Sequence, residues 1–227
     1  MKYLKYPLFA MLVILLASCV GNQVGIQKHT GFVELPNPSN IYTSGQIVEI
    51  YSSPRKVEVA FDPQIPWDLA STSKGWDISV EETSNIRSKF ESEISKILSA
   101  GASYNSNQRI QVEFTDTKTS LIPKNRIFRA IDEAINNDSS LRRQLQAYMK
   151  DGTHFDVITQ TLNATVSFKV IDESNQEITI DSEVIEKLNS EFKVDFSREI
   201  GSNRVVSGKN VTVGIHYDPK MISLLTE

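Results

Sequence analysis

Hydrophobic and polar residues alternate along several stretches of the chain, a pattern that is typical of half-buried β-strands. The first two stretches, residues 46–51 and 57–61, flank a Ser-Ser-Pro turn and predict a β-hairpin. Alternation returns at residues 110–114 and 211–217. It is longest over residues 155–170, where β-branched side chains dominate, so this stretch predicts a long strand at the centre of a sheet.

Four other stretches repeat apolar residues every three or four positions, as amphipathic helices do. A capping-box sequence at 79–82 begins the first, Pro123 the second, Asp138 the third, and Asp181 or Ser182 the fourth. The apolar positions are, helix by helix, Ile86, Phe90, Ile94, Ile97 and Leu98, then Ile127, Ile131, Ala134 and Ile135, then Leu141, Leu145 and Met149, and finally Ile185, Leu188 and Phe192.

Shorter signals complete the element list. Strand residues are predicted around Ile178 to Ile180 and from Val194 to Glu199, and Gly201 is predicted to turn the chain. The whole pattern indicates an α+β fold, with one or two mainly antiparallel sheets and about four helices packed on a face.

Helix, glycine and strand occur twice with similar spacing, over residues 86–114 and 185–215. Each unit follows strand residues, at 57–61 and at 164–170 respectively. The spacing suggests a duplicated strand–helix–strand unit. The alternative is coincidence, because many α+β chains contain helices that end in glycine before a strand.

Composition shifts divide the chain into regions. Residues 19–45 are polar and contain several Gly, Asn and Pro residues, so they predict a flexible tether. Residues 46–227 are predicted to form the α+β domain, with sub-lobes at 46–122 and 153–227 joined by a helical pair at 124–151.

Both tryptophans, Trp67 and Trp76, fall in an irregular segment at about 62–77. Long irregular loops inside a compact domain are often functional, so these residues mark a hypothetical binding loop. The alternative is that the two indoles close one end of a hydrophobic core.

The amino terminus carries two lysines and then an uncharged apolar run from Pro7 to Ala17, which is shorter than a membrane span of roughly 20 residues. The run ends in Leu16-Ala17-Ser18-Cys19, which resembles the lipobox of bacterial lipoprotein precursors. This resemblance implies removal of residues 1–18 by cleavage between Ser18 and Cys19. It also implies attachment of diacylglycerol to the Cys19 thiol and addition of a fatty acyl chain, such as palmitate, to the new amino terminus. The alternative is an ordinary secretory signal followed by a cysteine.

Val20 follows that cysteine. In the sorting pattern of enteric-type lipoproteins an aspartate there retains the protein at the inner membrane, so Val20 resembles the outer-membrane case, provided that the source has two membranes. Cys19 is the single cysteine, so no intramolecular disulfide is available. The lipobox resemblance makes acyl chains on Cys19 the predicted membrane contact.

The precursor has 24 basic and 28 acidic residues, a net charge of −4, and loss of Lys2 and Lys5 with the leader makes the predicted mature chain more acidic. An acidic surface argues against nucleic acid as a partner, because nucleic-acid-binding proteins present basic surfaces to phosphates. An envelope protein or a glycan is the expected partner class.

Motifs for catalysis or for cofactor and metal binding are missing from the sequence. The three histidines, His29, His154 and His216, lie far apart in sequence, and His216 is expected on an exposed strand face. Asp156 or Asp218 with a serine would complete a hydrolase triad only if the fold gathered them. Asn163-Ala164-Thr165 and Asn210-Val211-Thr212 match glycosylation sequons, which carry no prediction for a bacterial lipoprotein.

Three hypotheses for function follow. The favoured one is a membrane-anchored envelope lipoprotein that serves as a non-catalytic binding or assembly module. The second is an envelope hydrolase whose site has no short motif. The third is a structural or pilot component of a secretion or surface assembly.

Overall fold

The structure is a computed structural model, and the residues that it describes begin at Phe32. None of the helices in the described part of the chain is both long and apolar enough to span a bilayer. The described residues are 32–52, 55–65, 70–74, 84–100, 104, 107–151, 153–218, 220 and 222.

Nine strands in the described ranges form one antiparallel sheet, and four helices accompany it. The strands are β1 (Val33–Ser39), β2 (Ile47–Ser52), β3 (Arg55–Phe61), β4 (Ser71–Lys74), β5 (Arg109–Leu121), β6 (Phe155–Ile171), β7 (Glu177–Ile178), β8 (Ser197–Arg198) and β9 (Val205–Asp218). The helices are α1 (Ser84–Ser99), α2 (Lys124–Asn137), α3 (Ser139–Lys150) and α4 (Ser182–Phe192). The α+β expectation is confirmed at this level.

Strand β6 organises the sheet. One side of it pairs with β9 along most of its length, from Val157 to Lys169. The other side is shared, because β2 pairs with residues 155–157 of β6 and β5 pairs with residues 160–171. The β2–β3 hairpin and the β4–β5 pair therefore leave the same side of β6 at different ends. This arrangement explains why the 17-residue run of β6 is buried almost throughout.

Three clusters of buried side chains stabilise the body. Helices α1 and α4 meet over the sheet, where the rings of Phe90 and Phe192 lie 4.7 Å apart. Helices α2 and α3 cover a second cluster that includes Ile47 and Val157. A third, which includes Val48 and Leu35, joins the β2–β3 hairpin to β1. The helices thus pack in two pairs, each on its own cluster.

Several predictions from the pattern are confirmed in detail. The hairpin at 46–61 forms as β2 and β3. The Asp138 carboxylate caps α3 by accepting hydrogen bonds from the backbone N–H groups of Ser140 and Leu141. Gly201 adopts the left-handed conformation expected of a turn glycine, with a φ of 85°.

Two segments that the pattern predicts as irregular contain strands. β1 lies inside the predicted tether, where Leu35 is fully buried and Val33 pairs with Ile215 of β9, so the tether boundary at residue 45 is wrong. β4 lies inside the predicted loop at 62–77 and pairs with β5 from Ser71 to Lys74. Both strands are short and polar in sequence, and their pairing depends on a long neighbouring strand.

Strand lengths also differ from the prediction. The pattern predicts 110–114 and 211–217, whereas β5 and β9 extend to 13 and 14 residues. Conversely, the stretch from Val194 to Glu199 contributes only the two residues of β8. The strands that precede the helices of the two suggested repeat units are placed differently in the sheet. β3, before α1, pairs with β2, whereas β6, before α4, pairs directly with β9.

Candidate functional site

Irregular pairing in three long strands creates the most distinctive local geometry of the sheet. The register between β5 and β6 shifts between Thr115 and Lys118, where Asp116 has a φ of 49°. The register between β6 and β9 shifts at Leu162/Asn163 and again after Ala164, near Asn210, whose φ is 55°. Such bulges bend a strand and redirect side chains, and they often occur beside functional sites.

A cavity of about 390 Å³ lies at this position. Its walls come from five parts of the chain, namely the β1–β2 connection, the start of β4, β5, β6 and β9. The lining residues are Asn40, Tyr42, Ala70, Thr72, Lys118, Ser120, Asn163, Asn210 and Thr212. Six of these nine carry amide or aliphatic hydroxyl groups, so most of the lining residues are polar and uncharged, although apolar atoms also contribute much of the surface.

The deeper wall is held by a hydrogen-bonded group of side chains. The hydroxyl of buried Thr212 lies 2.7 Å from Asn163 Oδ1 and 3.3 Å from the carbonyl oxygen of Tyr42. Asn163 Nδ2 donates in turn to the hydroxyl of Thr161 at 3.1 Å. These contacts fix the Asn163 amide, which is half-buried, in one orientation.

Side-chain hydrogen bonds also hold the β1–β2 connection in place. Buried Gln46 donates through Nε2 to the carbonyl oxygen of Ile41 and to Asp62 Oδ2, and its Oε1 accepts from the backbone N–H of Thr43. Tyr42 donates its phenolic hydroxyl to the carbonyl oxygen of Val57 at 2.9 Å. The wall that carries Tyr42 is therefore preorganised.

The rim is formed by side chains that reach solvent. Asn40, Thr72, Lys118 and Asn210 are all exposed. Lys118 is the sole charged residue among the nine, and none of them carries a carboxylate. The electrostatic character of the rim is consequently neutral to weakly positive, although the whole chain is acidic.

The hypothetical binding loop at 62–77 contributes directly to this cavity. Ala70 and Thr72 lie in that segment, and β4 holds them against β5. Trp67 and Trp76 themselves lie outside the described residues. The binding role of this loop, like that of the two indoles, stays a prediction.

The rest of the cavity has only a weak signal in the sequence. Asn163 and Asn210 appear in the sequence as sequons, but they share the cavity because β6 and β9 are neighbours. The segment Ser207-Gly208-Lys209-Asn210 interrupts the alternation before Val211. Such an interruption inside a strand is the one local sign of a bulge.

A second group of residues lies near the start of β6 and the end of β9, where Val157 pairs with Asp218. It contains the histidines and aspartates that were named for a hydrolase site, His154, Asp156, His216 and Asp218. His216 Nδ1 lies 2.9 Å from the hydroxyl of Thr159, and that hydroxyl also donates to the carbonyl oxygen of His216 at 3.1 Å. His216 is half-buried, with its ring edge-on to Phe32, so the expectation of an exposed histidine is wrong. Its contacts with buried Thr159, at the irregularity of β6, and with Phe32 cover part of the imidazole.

The two aspartates at this end differ in their environment. Burial raises the pKa of the Asp156 carboxyl; His154 partly opposes that shift and Asp218 adds to it. A hydrogen bond from Lys124, at 2.7 Å, lowers the pKa of Asp218. Since the Nδ1 partner of His216 is a threonine, the arrangement lacks the histidine–carboxylate orientation of a triad. His154 is exposed.

The remaining candidate sites are a metal centre, the lipidation residues and a second concavity. Among the described residues, no group of three His, Cys, Asp or Glu side chains could hold a metal ion. Ser18, Cys19 and His29 lie outside the described residues. A larger concavity of about 580 Å³ beside α1 is lined by mixed charges, including Arg87, Glu91 and Lys169. Lys169 there is already bonded to Glu177.

Comparisons with known proteins give little help. No model of a protein family matches the chain, and no curated protein matches it. Among solved structures, a bacterial gasdermin from Bradyrhizobium tropiciagri is 13% identical, with a TM-score of 0.38, and the match covers 83% of this chain and 82% of that chain. A likeness at this level carries no argument about function, which must come from the residues themselves.

Proposed function

We propose that the protein is a lipid-anchored envelope protein and that its folded body is a non-catalytic binding module. The binding site in this proposal is the polar cavity between β4, β5, β6 and β9. Localisation at the outer membrane is part of the proposal and follows from Val20 next to Cys19.

The anchor is supported by the lipobox-like sequence ending at Cys19, which precedes the described body. Two or three acyl chains on one residue bind a bilayer durably, whereas a single chain binds only marginally. The acidic net charge gives little electrostatic attraction to anionic lipids. The acyl chains would therefore supply the membrane affinity.

The observation that carries the binding role is the convergence of five segments on one polar cavity. The supporting hydrogen bonds of Gln46, Thr212 and Asn163 preorganise its walls, which lowers the entropic cost of binding. The lining contains hydroxyl groups, such as that of Ser120, but no histidine or carboxylate, the groups that most often act as general base for a hydroxyl nucleophile. Binding without catalysis is thus the favoured role.

Photocrosslinking in cells that make the full-length protein tests this role. A photoreactive phenylalanine analogue replaces Lys118 at the cavity rim. The matched control replaces Lys187, another exposed lysine, on α4 and outside the cavity lining. We expect an adduct of discrete mass from position 118 and none from position 187. Equal yields at both positions, or no adduct at position 118, would contradict the proposed site.

A further inference from the structure

The polar groups of the cavity restrict the chemistry of a ligand. The exposed amides of Asn40 and Asn210 offer both donors and acceptors, and so do the hydroxyls of Thr72 and Ser120. The Asn163 amide, already bonded to Thr161 and Thr212, keeps one N–H and one oxygen lone pair for a ligand. An apolar ligand would leave such groups without partners, which is costly once water is excluded. A matching ligand has several groups that donate and accept at once.

The charges of the lining residues restrict the class of ligand further. None of the lining residues is an acid, so a cationic ligand would have no counter-charge in the cavity. Lys118 at the rim accommodates a neutral or an acidic ligand. Basic peptides and polyamines are thereby disfavoured.

The volume of the cavity agrees with a small polar ligand. The volume of about 390 Å³ lies in the range of small-molecule sites, roughly 300–1,000 Å³. This space suits a mono- or disaccharide unit, and the exposed rim at Asn40 and Asn210 leaves room for a chain to continue outward.

We infer that the cavity binds a saccharide that carries acetamido groups, because amide side chains in three of its walls complement both the hydroxyls and the amides of such a sugar. This inference rests on the proposed binding function and specifies its ligand class. Sugar hydroxyls act as donors and acceptors together, as the lining does.

Two variants remove cavity amides with little effect on the fold. Asn210→Gly deletes the side chain at a φ of 55°, a conformation that glycine adopts without strain. Asn40→Ala truncates an exposed residue. Asn175→Gly is the matched control, because Asn175 also has a positive φ, of 61°, but contacts Arg109 outside the cavity.

Isothermal titration of the full-length protein, in a detergent without a sugar headgroup, tests the inference with chitotetraose as the probe. Cellotetraose, a neutral tetramer without acetamido groups, is the comparison ligand. We expect chitotetraose to bind wild type and Asn175→Gly equally. Asn210→Gly and Asn40→Ala should each weaken binding about five- to tenfold. Cellotetraose should bind more weakly than chitotetraose to every form.

The inference is overturned if chitotetraose does not bind, if cellotetraose binds as tightly, or if binding is unchanged in both cavity variants. Thermal unfolding of each variant confirms that it is folded before titration. Failure here is distinguishable from failure of the proposed function. A position-118 adduct with no saccharide binding would retain the binding module and reject only this ligand class.

Discussion

The hydroxyl of Thr159 shows how one side chain holds an irregular strand. It is fully buried at a break in the β6–β9 register and contacts both Nδ1 and the carbonyl oxygen of His216. The hydroxyl has one proton, so it accepts from Nδ1–H when it donates to the carbonyl oxygen, and it donates to Nδ1 in the other tautomer of the imidazole.

Replacing Thr159 with valine keeps the shape and removes both interactions. We expect Thr159→Val to lower the free energy of unfolding by about 1–3 kcal/mol, because the His216 groups lose their partner in a buried site. Thr159→Ser, which keeps the hydroxyl, should cost less. Urea titration measures both. A Thr159→Val variant as stable as wild type, beside a destabilised Thr159→Ser, would show that packing of the methyl group, and not the hydrogen bonds, matters.

Asp138 is a second residue whose role is local. Hydrogen bonds from Ser140, including its backbone N–H, and from the N–H of Leu141 hold the pKa of Asp138 below its usual value near 3.8. A lowered pKa in the folded state means that the stabilisation is present above the unfolded-state pKa. It is lost as the pH falls through the folded-state pKa.

Asp138→Ala should therefore lower the unfolding midpoint at neutral pH, and its difference from wild type should shrink as the pH falls below 3.8. Asp138→Asn is the control, because asparagine also caps helices but does not titrate. A difference between wild type and Asp138→Ala that stays constant down to pH 2 would contradict this account.

At the scale of elements, β9 depends on close contact with the chain around β8. A Cβ atom added at Gly208 would lie 2.6 Å from Val194 Cγ1 and 2.8 Å from Phe196 Cδ1. Both neighbours are buried, so they have little room to move. At Gly214 in the same strand, the nearest atom to an added Cβ is 3.4 Å away.

Gly208→Ala should consequently destabilise the protein by about 1–3 kcal/mol, the usual cost of overpacking a core. Gly214→Ala, the matched control, should change the free energy of unfolding by less than about 1 kcal/mol. Denaturant titration of both proteins checks the pair. A tolerated Gly208→Ala would mean that β9 does not pack this closely on Val194 and Phe196.

The elements that could be predicted are those with their own periodic pattern. β6 and the four helices carry long apolar repeats, so local sequence was enough to find them. β1 and β4 carry no such repeat, and their pairing with β9 and β5 stabilises them. A window of sequence contains no information about that distant partner, which is why both segments were predicted as irregular.

The same reason limits prediction of the candidate site. Asn40, Thr72, Asn163 and Asn210 are ordinary surface residues in sequence, and only the sheet topology brings them together. The segment at 62–77 was singled out for its length and tryptophans, and its residues Ala70 and Thr72 do line the cavity. The bulges that shape the cavity leave a trace only in the broken alternation before Val211.

At the scale of the whole molecule, a proposed lipid anchor is joined to a disulfide-free α+β body. The described body buries three clusters of apolar residues, and five of its segments line the candidate binding cavity. The anchor would keep that cavity at the membrane surface, near envelope glycans. Each part has its own chemistry, but the proposed function depends on their being joined.

Fatty-acid labelling of the full-length protein tests the anchored form most directly. Cells that make wild type or Cys19→Ser are grown with labelled palmitate, and the protein is isolated and its mass measured. The account predicts label and loss of residues 1–18 in wild type, and an unlabelled, uncleaved chain in Cys19→Ser. Label that persists in Cys19→Ser, or a wild-type chain without acyl groups, would contradict it.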